Sequence, residues 1–131
     1  MSIQKIMGGV MLIVSLLVLP TKAIAEPPEI VPTSINIKTY AFDVIFDIWG
    51  SSQWDSFDKL IERESHWKSE AQNPKSTAYG IGQFLNSTWK DVGCVKTSDK
   101  YKQIDCTIKY IQDRYGTPHK ALSFHYKNNY Y

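Results

Sequence analysis

Two glutamates, Glu62 and Glu64, share the segment Trp54–Trp67, and only one of them lies where a carboxyl group could act as a proton donor. At about 100° per residue, Trp54, Phe57, Leu60, Ile61 and Trp67 gather on one face of a helix. The spacing predicts that this helix is capped by Ser51 or Ser52 and runs to about Trp67. Glu64 falls close to the middle of the apolar stripe. Glu62 points roughly the opposite way, with Asp58 and Lys59 toward solvent. A carboxylate among apolar side chains is poorly solvated, so burial raises its pKa. A raised pKa is what a general acid needs near neutral pH. Helix geometry alone leaves a second reading open, in which Glu64 merely ends the stripe, paired with Arg63 or Arg114.

Downstream, Ala78-Tyr79-Gly80-Ile81-Gly82-Gln83 sets two glycines around one apolar residue before an amide. Glycine there permits positive φ or close approach of a ligand to the backbone. Gln83 adds a neutral donor and acceptor suited to hydroxyl or acetamido groups; an ordinary glycine turn is the alternative. Gln103, Cys106 and Tyr110 form a second face on the helix that carries Ile104, Ile108 and Ile111. Tyr110 either presents its hydroxyl to a cleft or packs in the core with that hydroxyl satisfied. The segment Ala121–Tyr131 is rich in aromatics and amides, able to stack on sugar rings or to pack on the core. His66, His119 and His125 lack a two-ligand helical spacing, so no metal site is expected. No cofactor is expected either. No Gly-x-Ser-x-Gly, phosphate loop or Cys/His nucleophile arrangement is present.

The elements that must position these groups are mainly helical. Tyr40, Ala41, Val44, Ile45 and Ile48 recur at helical spacing over 39–48, and Gly50 ends that segment. Residues 70–83 read as a loop or small β excursion. A short helix starts at Asn86-Ser-Thr-Trp and stops by Gly93. Thr97 or Ser98 caps the next, whose stripe is Ile104, Ile108, Ile111 and Tyr115. Gly116-Thr-Pro118 ends it, and Pro118 opens a last helix.

With 131 residues, 43% hydrophobic and 21% charged, the chain is expected to form one folded domain. Residues 1–25 resemble a signal peptide: Lys5, then the apolar run Ile6–Leu19, Pro20, and the small-residue site Ala23-Ile24-Ala25. The run is short of the ~20 residues needed to span a bilayer, and an uncleaved anchor is the alternative. Proline-rich 26–37 is expected to be a linker, and 38–131 the domain. The net charge of +2 includes Lys5 and Lys22; without them the chain is formally neutral, which argues against nucleic acid as a partner. In an oxidising compartment Cys94 and Cys106 are expected to pair as a disulfide.

Taken together, the segments resemble the soluble lytic transglycosylases and goose-type lysozymes. Glu64-Ser65-His66-Trp67 is similar to the family's Glu-Ser signature, and Asn73-Pro-Lys-Ser-Thr-Ala-Tyr-Gly-Ile-Gly-Gln83 to its second motif. Gln103–Ile111 and Arg114-Tyr-Gly-Thr-Pro118 resemble a later motif of a phage-type and Gram-positive surface branch. Phe124, His125, Asn128 and Tyr131 look like that branch's ending, although many members carry Ala-x-x-Tyr-Asn near this point, where His125 stands in for the tyrosine.

The resemblance implies a mainly α, α+β lysozyme-like fold acting on peptidoglycan, in the secreted or periplasmic space, as a monomer without stable membrane insertion. Glu64 would protonate the oxygen linking N-acetylmuramic acid to N-acetylglucosamine. It would then take the proton of the muramoyl 6-hydroxyl as a 1,6-anhydro ring closes, so one carboxylate suffices, unlike the common two-carboxylate scheme. Ser65, Tyr79, Gly80, Ile81, Gln83, Tyr110 and His125 would bind the sugar. The rival expectations are a hydrolytic muramidase and a noncatalytic wall-binding or assembly protein. A secretion, conjugation or phage apparatus, or general wall turnover, are all settings open to such a chain.

Overall fold

The computed structural model of the chain describes residues 13–20 and 35–131. It divides into two units, Met1–Val31 and Pro32–Tyr131. In the first, residues 13–20 carry no helix or strand and their apolar side chains are exposed. The rest of the expected signal segment, and residues 26–34 of the expected linker, lie outside the described residues. No helix among the described residues is long and apolar enough to cross a membrane.

The second unit is mainly helical. Helix α1, Ile37–Trp49, is capped by Asn36, whose side chain accepts from the Lys38 N–H at 2.8 Å, and Gly50 ends it at φ 81°. Ala41 and Ile45 are fully buried, but Ile48, expected on the same face, is exposed in the last turn. A 3₁₀ turn, Ser51–Gln53, occupies the place of the expected serine cap, so α2, Trp54–Ser65, begins without a capping side chain. It also stops two residues early. His66 and Trp67 both turn left-handed, at φ 52° and 62°, and reverse the chain. Two such non-glycine residues cost on the order of 1–2 kcal/mol each. Side-chain contacts offset the cost: the Trp67 indole donates to Asp58 Oδ1 at 2.8 Å, and its ring packs 6.0 Å from those of Trp54 and Phe57. Asp58, expected in solvent, is consequently half-buried and also holds Lys38 at 2.9 Å.

The loop after α2 makes two isolated antiparallel bridges, Gln72 with Tyr79 and Tyr79 with Phe84, which are its small β excursion. Helix α3, Asn86–Asp91, is short, and α4 runs Lys100–Arg114. Asp99, rather than Thr97 or Ser98, caps α4 by accepting from the N–H groups of Tyr101 and Lys102; the Thr97 hydroxyl accepts from Asp99 itself. Helix α5, Pro118–Asn128, has Pro118 in its first turn and Thr117 as its cap. α5 lies along α2, and α1 packs on α4 and α2. Phe57, Leu60 and Ile61 of α2 meet Ile104, Ile108 and Ile111 of α4 in the core. A smaller cluster of Phe84, Trp89 and Val92 sits beside Cys94 and Cys106, which form a disulfide. Among the described residues, five α-helices, a bridged loop and one disulfide make a small lysozyme-like domain.

Candidate active site

The last turn of α2 carries Glu64 into a cleft of about 360 Å³. Gly82–Leu85 and Thr88 form one wall, with Asn73 and Ala78 beside them, and Asn129–Tyr131 form another. Among the described residues, Glu64 is the only acid lining it. The carboxyl group is mostly shielded, at 14% side-chain exposure, and desolvation raises its pKa from 4.5 to about 7, against the opposing pull of Arg63. The position in the apolar stripe has the physical consequence it implies: near neutrality much of Glu64 still holds its proton. Glu62, two residues earlier, is exposed and pairs with His66 at 3.0 Å.

The partner of Glu64 is neither Arg63 nor Arg114 but His125 of α5, whose Nε2 lies 2.8 Å from Oε1. On the other side of the imidazole, Arg63 Nε donates to Nδ1 at 3.4 Å. Desolvation, and then the Arg63 charge, lower the pKa of His125. The carboxyl is pushed up and the imidazole pushed down, so burial shifts both groups toward their neutral forms where they meet. His125 thus sits behind the carboxyl group and does not line the cleft.

The second motif is a tight turn clamped to α4. Gly80 adopts φ 82°, and a Cβ there would fall 2.8 Å from the Gln103 amide. Gln103 is buried; its Oε1 accepts from the Ile81 N–H at 2.8 Å, and its Nε2 donates to the carbonyls of Ser69 and Thr97 at 2.8 and 2.7 Å. A Cβ on Gly82 would meet Thr107 Oγ1 at 2.6 Å and the Tyr131 hydroxyl at 3.1 Å. Both glycines therefore make room for the protein's own side chains. Gln83, at φ 52°, donates its amide to the carbonyls of Ala71 and Gly80, each at 2.9 Å, which leaves Oε1 as its free polar atom at the cleft.

Of the other residues expected to bind sugar, none lines the cleft. Ser65 is buried and its hydroxyl bonds the Ile61 carbonyl at 3.4 Å. Ile81 is in the core, and Tyr79 packs on the smaller cluster with Lys96 over its ring. Tyr110 stacks edge-on with Phe84 and Tyr131, 5.0 and 5.4 Å away, and opens to a different groove beside Asp91 and Arg114. Conversely, Thr88 and Asn129 line the cleft without a sequence signal for it, and Asn73 was marked only by its place in the second motif. Tyr131 was marked only by its place in the terminal pattern. Its hydroxyl donates to the Gly82 carbonyl at 3.2 Å, and desolvation, followed by the Glu64 charge, raises its pKa well above the usual value. Among the described residues, no cluster of His, Cys, Asp and Glu is arranged to hold a metal ion.

No curated protein and no solved structure matches the chain. Residues 50–125, which include Glu64, the clamped turn and His125, match the family model of the transglycosylase SLT domain. With more than half of its length so matched, the chain belongs to the transglycosylase SLT domain family, whose members act on peptidoglycan in the cell envelope.

Proposed function

We propose that this domain is a lytic transglycosylase that cleaves the β-1,4 bond between N-acetylmuramic acid and N-acetylglucosamine. The observation that carries the reading is Glu64, the sole acid on the cleft among the described residues, with its pKa raised to about 7. In the first step the Glu64 carboxyl gives its proton to the bridging oxygen, the C1–O bond breaks, and the N-acetylglucosamine 4-hydroxyl leaves. In the second, the muramoyl 6-oxygen bonds to C1 and its proton returns to the Glu64 carboxylate. The anhydro ring closes with no water consumed and no enzyme nucleophile, so a single carboxylate serves both steps. Gln83 Oε1 and the Asn129–Tyr131 wall contact the sugars. Ser65, Gly80, Ile81 and Tyr110 hold those groups in place from behind. Apolar Ile6–Leu19 and the Cys94–Cys106 disulfide support export of the chain.

Mass spectrometry of purified peptidoglycan digested by the wild type and by Glu64→Gln tests this directly. Muropeptides one water lighter than reducing-end products, absent with Glu64→Gln, are expected. Reducing-end products would move the reading to a hydrolytic muramidase. An inactive wild type would favour a noncatalytic wall-binding protein.

A further inference from the structure

The glycan that Glu64 is proposed to cleave carries negative charge at every muramoyl unit. The lactyl arm on C3 of that sugar ends either in a carboxylate or in a peptide that bears carboxylates of its own. We propose that Arg63 is a binding site for such a carboxylate, a guanidinium on the shoulder of the cleft that favours acid-bearing muramoyl units over neutral glycan. This deepens the transglycosylase reading and rests on it.

Arg63 is held in place without being neutralised. Its Nε donates to Nδ1 of His125 at 3.4 Å, and its guanidinium lies 4.8 Å over the Tyr126 ring. Both partners belong to α5, so the side chain is fixed where α2 and α5 pack together. Neither partner is an acid. Among the described residues no Asp or Glu lies within ion-pair distance of Arg63, whereas Lys38, Lys59 and Lys109 each hold an aspartate. The Nε bond is its one hydrogen bond there, which leaves both terminal Nη groups without a protein partner. Arg63 is exposed, so a ligand can reach it. A guanidinium presents its N–H groups in the ring-like plane of the fork, matched to the two oxygens of a carboxylate, and stacking on an aromatic face leaves the edge of that plane open.

Position connects this cation to the substrate. Arg63 precedes Glu64 in the last turn of α2. Tyr126 lies in the last turn of α5, just before the Asn129–Tyr131 wall. Arg63 does not itself line the cleft, so it is placed for a substituent of the sugar rather than for the ring. Its charge nevertheless reaches the acid, because it opposes the rise that burial imposes on the Glu64 pKa. Among the described residues the cleft lining contains no lysine or arginine. A substrate carboxylate beside it would therefore face only the like charge of Glu64 once that group has given up its proton. Arg63 offers the opposite charge at the adjacent position.

The test uses three forms of one purified glycan: strands with peptide stems, strands stripped by an amidase to the lactyl carboxylate, and stripped strands with that carboxylate converted to a neutral amide. Cleavage is followed at about pH 5.5, where the substrate carboxylates are ionised and Glu64 holds its proton. The readout is kcat/KM on each acidic form divided by that on the neutral form, so damage to the fold or to Glu64 divides out. Arg63→Gln is expected to lower this ratio about fivefold, the size of one well-formed exposed ion pair. Arg63→Lys, which keeps the charge and loses the fork, falls between. Tyr126→Leu, at an exposed position, frees the guanidinium and lowers the ratio by a smaller factor, which keeps the test open if Arg63→Gln does not fold. A fall on stripped strands supports the lactyl carboxylate as the ligand, and a fall on stem-bearing strands alone supports a carboxylate of the stem. Ratios unchanged on both acidic forms overturn the proposal and leave the catalytic reading of Glu64 intact. A wild type that cleaves none of the three overturns both.

Discussion

Replacing Glu64 by Gln is expected to stabilise the fold, by an amount that grows as pH rises from about 4.5 and levels off above about 7. Burial holds the folded-state pKa at about 7, whereas the unfolded chain ionises near 4.5. Below pH 4.5 the carboxyl is protonated in both states and titration contributes nothing to the difference between them. Between 4.5 and 7 the unfolded chain releases its proton while the folded chain retains it, so stability falls as pH rises. Above 7 both are ionised and the full cost remains. At about 1.4 kcal/mol per pH unit, the displacement corresponds to about 3 kcal/mol. Gln mimics the protonated form and has no charge to bury. Urea denaturation of both proteins across pH 4–9 isolates the effect, because every other titration is shared and cancels in the difference. The two curves should coincide near pH 4 and diverge to about 3 kcal/mol by pH 8, on the order of 10 °C in Tm for a domain of this size. Parallel curves would refute the argument, since they would mean that Glu64 is as well solvated folded as unfolded.

The clamp on the second motif makes its own predictions. Gln103→Leu leaves the Ile81 N–H and the Ser69 and Thr97 carbonyls without their partner; a loss of about 3 kcal/mol or more is expected by urea denaturation. Gly82→Ala drives a methyl to within 2.6 Å of Thr107 Oγ1 and 3.1 Å of the Tyr131 hydroxyl. It should cost about 1–3 kcal/mol and lower kcat by displacing Tyr131 from the cleft wall, both measured on the purified variant. Changing Cys94 and Cys106 together to Ser removes a cross-link between positions 12 apart in sequence. Calorimetry should register about 3 kcal/mol of lost stability, with the Glu64-dependent difference in the pH curves unchanged.

What could be read in the sequence was what periodicity and local chemistry determine. The apolar stripe placed Glu64 in shielded surroundings, and Pro118, Gly50 and Gly116 marked helix boundaries, because those signals act within a turn or two of themselves. The misreadings share a different cause. The end of α2 was drawn at Trp67 since Trp67 does pack with Trp54 and Phe57, but it does so from a left-handed reversal that no local rule for non-glycine residues anticipates. Asp99 won the cap of α4 over Thr97 and Ser98 because its carboxylate reaches two N–H groups at once. The Glu64–His125 contact spans 61 positions and depends on how α5 lies on α2, so spacing carried no trace of it. Residue type points to Tyr79, Gly80 and Gln83 as sugar ligands; the turn spends much of their polar capacity on its own backbone, and Gln83 keeps Oε1 at the cleft.

That inward use of polar groups bears on which nucleophile the site can employ. Ser65, Gln103 and the amide nitrogen of Gln83 are all bonded to backbone carbonyls, and Tyr131 donates to Gly82. A retaining glycosidase needs a second, ionised carboxylate about 5 Å from the acid, and an ionised carboxylate in a shielded cleft needs donors of its own. Among the described residues the cleft supplies no second acid, and the side chain nearest the Glu64 carboxyl is the buried imidazole of His125, 2.8 Å away. Adding a carboxylate would also place a like charge beside Glu64 and leave both poorly solvated. The arrangement favours a nucleophile that arrives neutral and gives up its proton only as the bond forms. On the proposed transglycosylase reading, a sugar hydroxyl held by the substrate's own ring would meet that condition, and a lone glutamate with a raised pKa would serve both proton transfers.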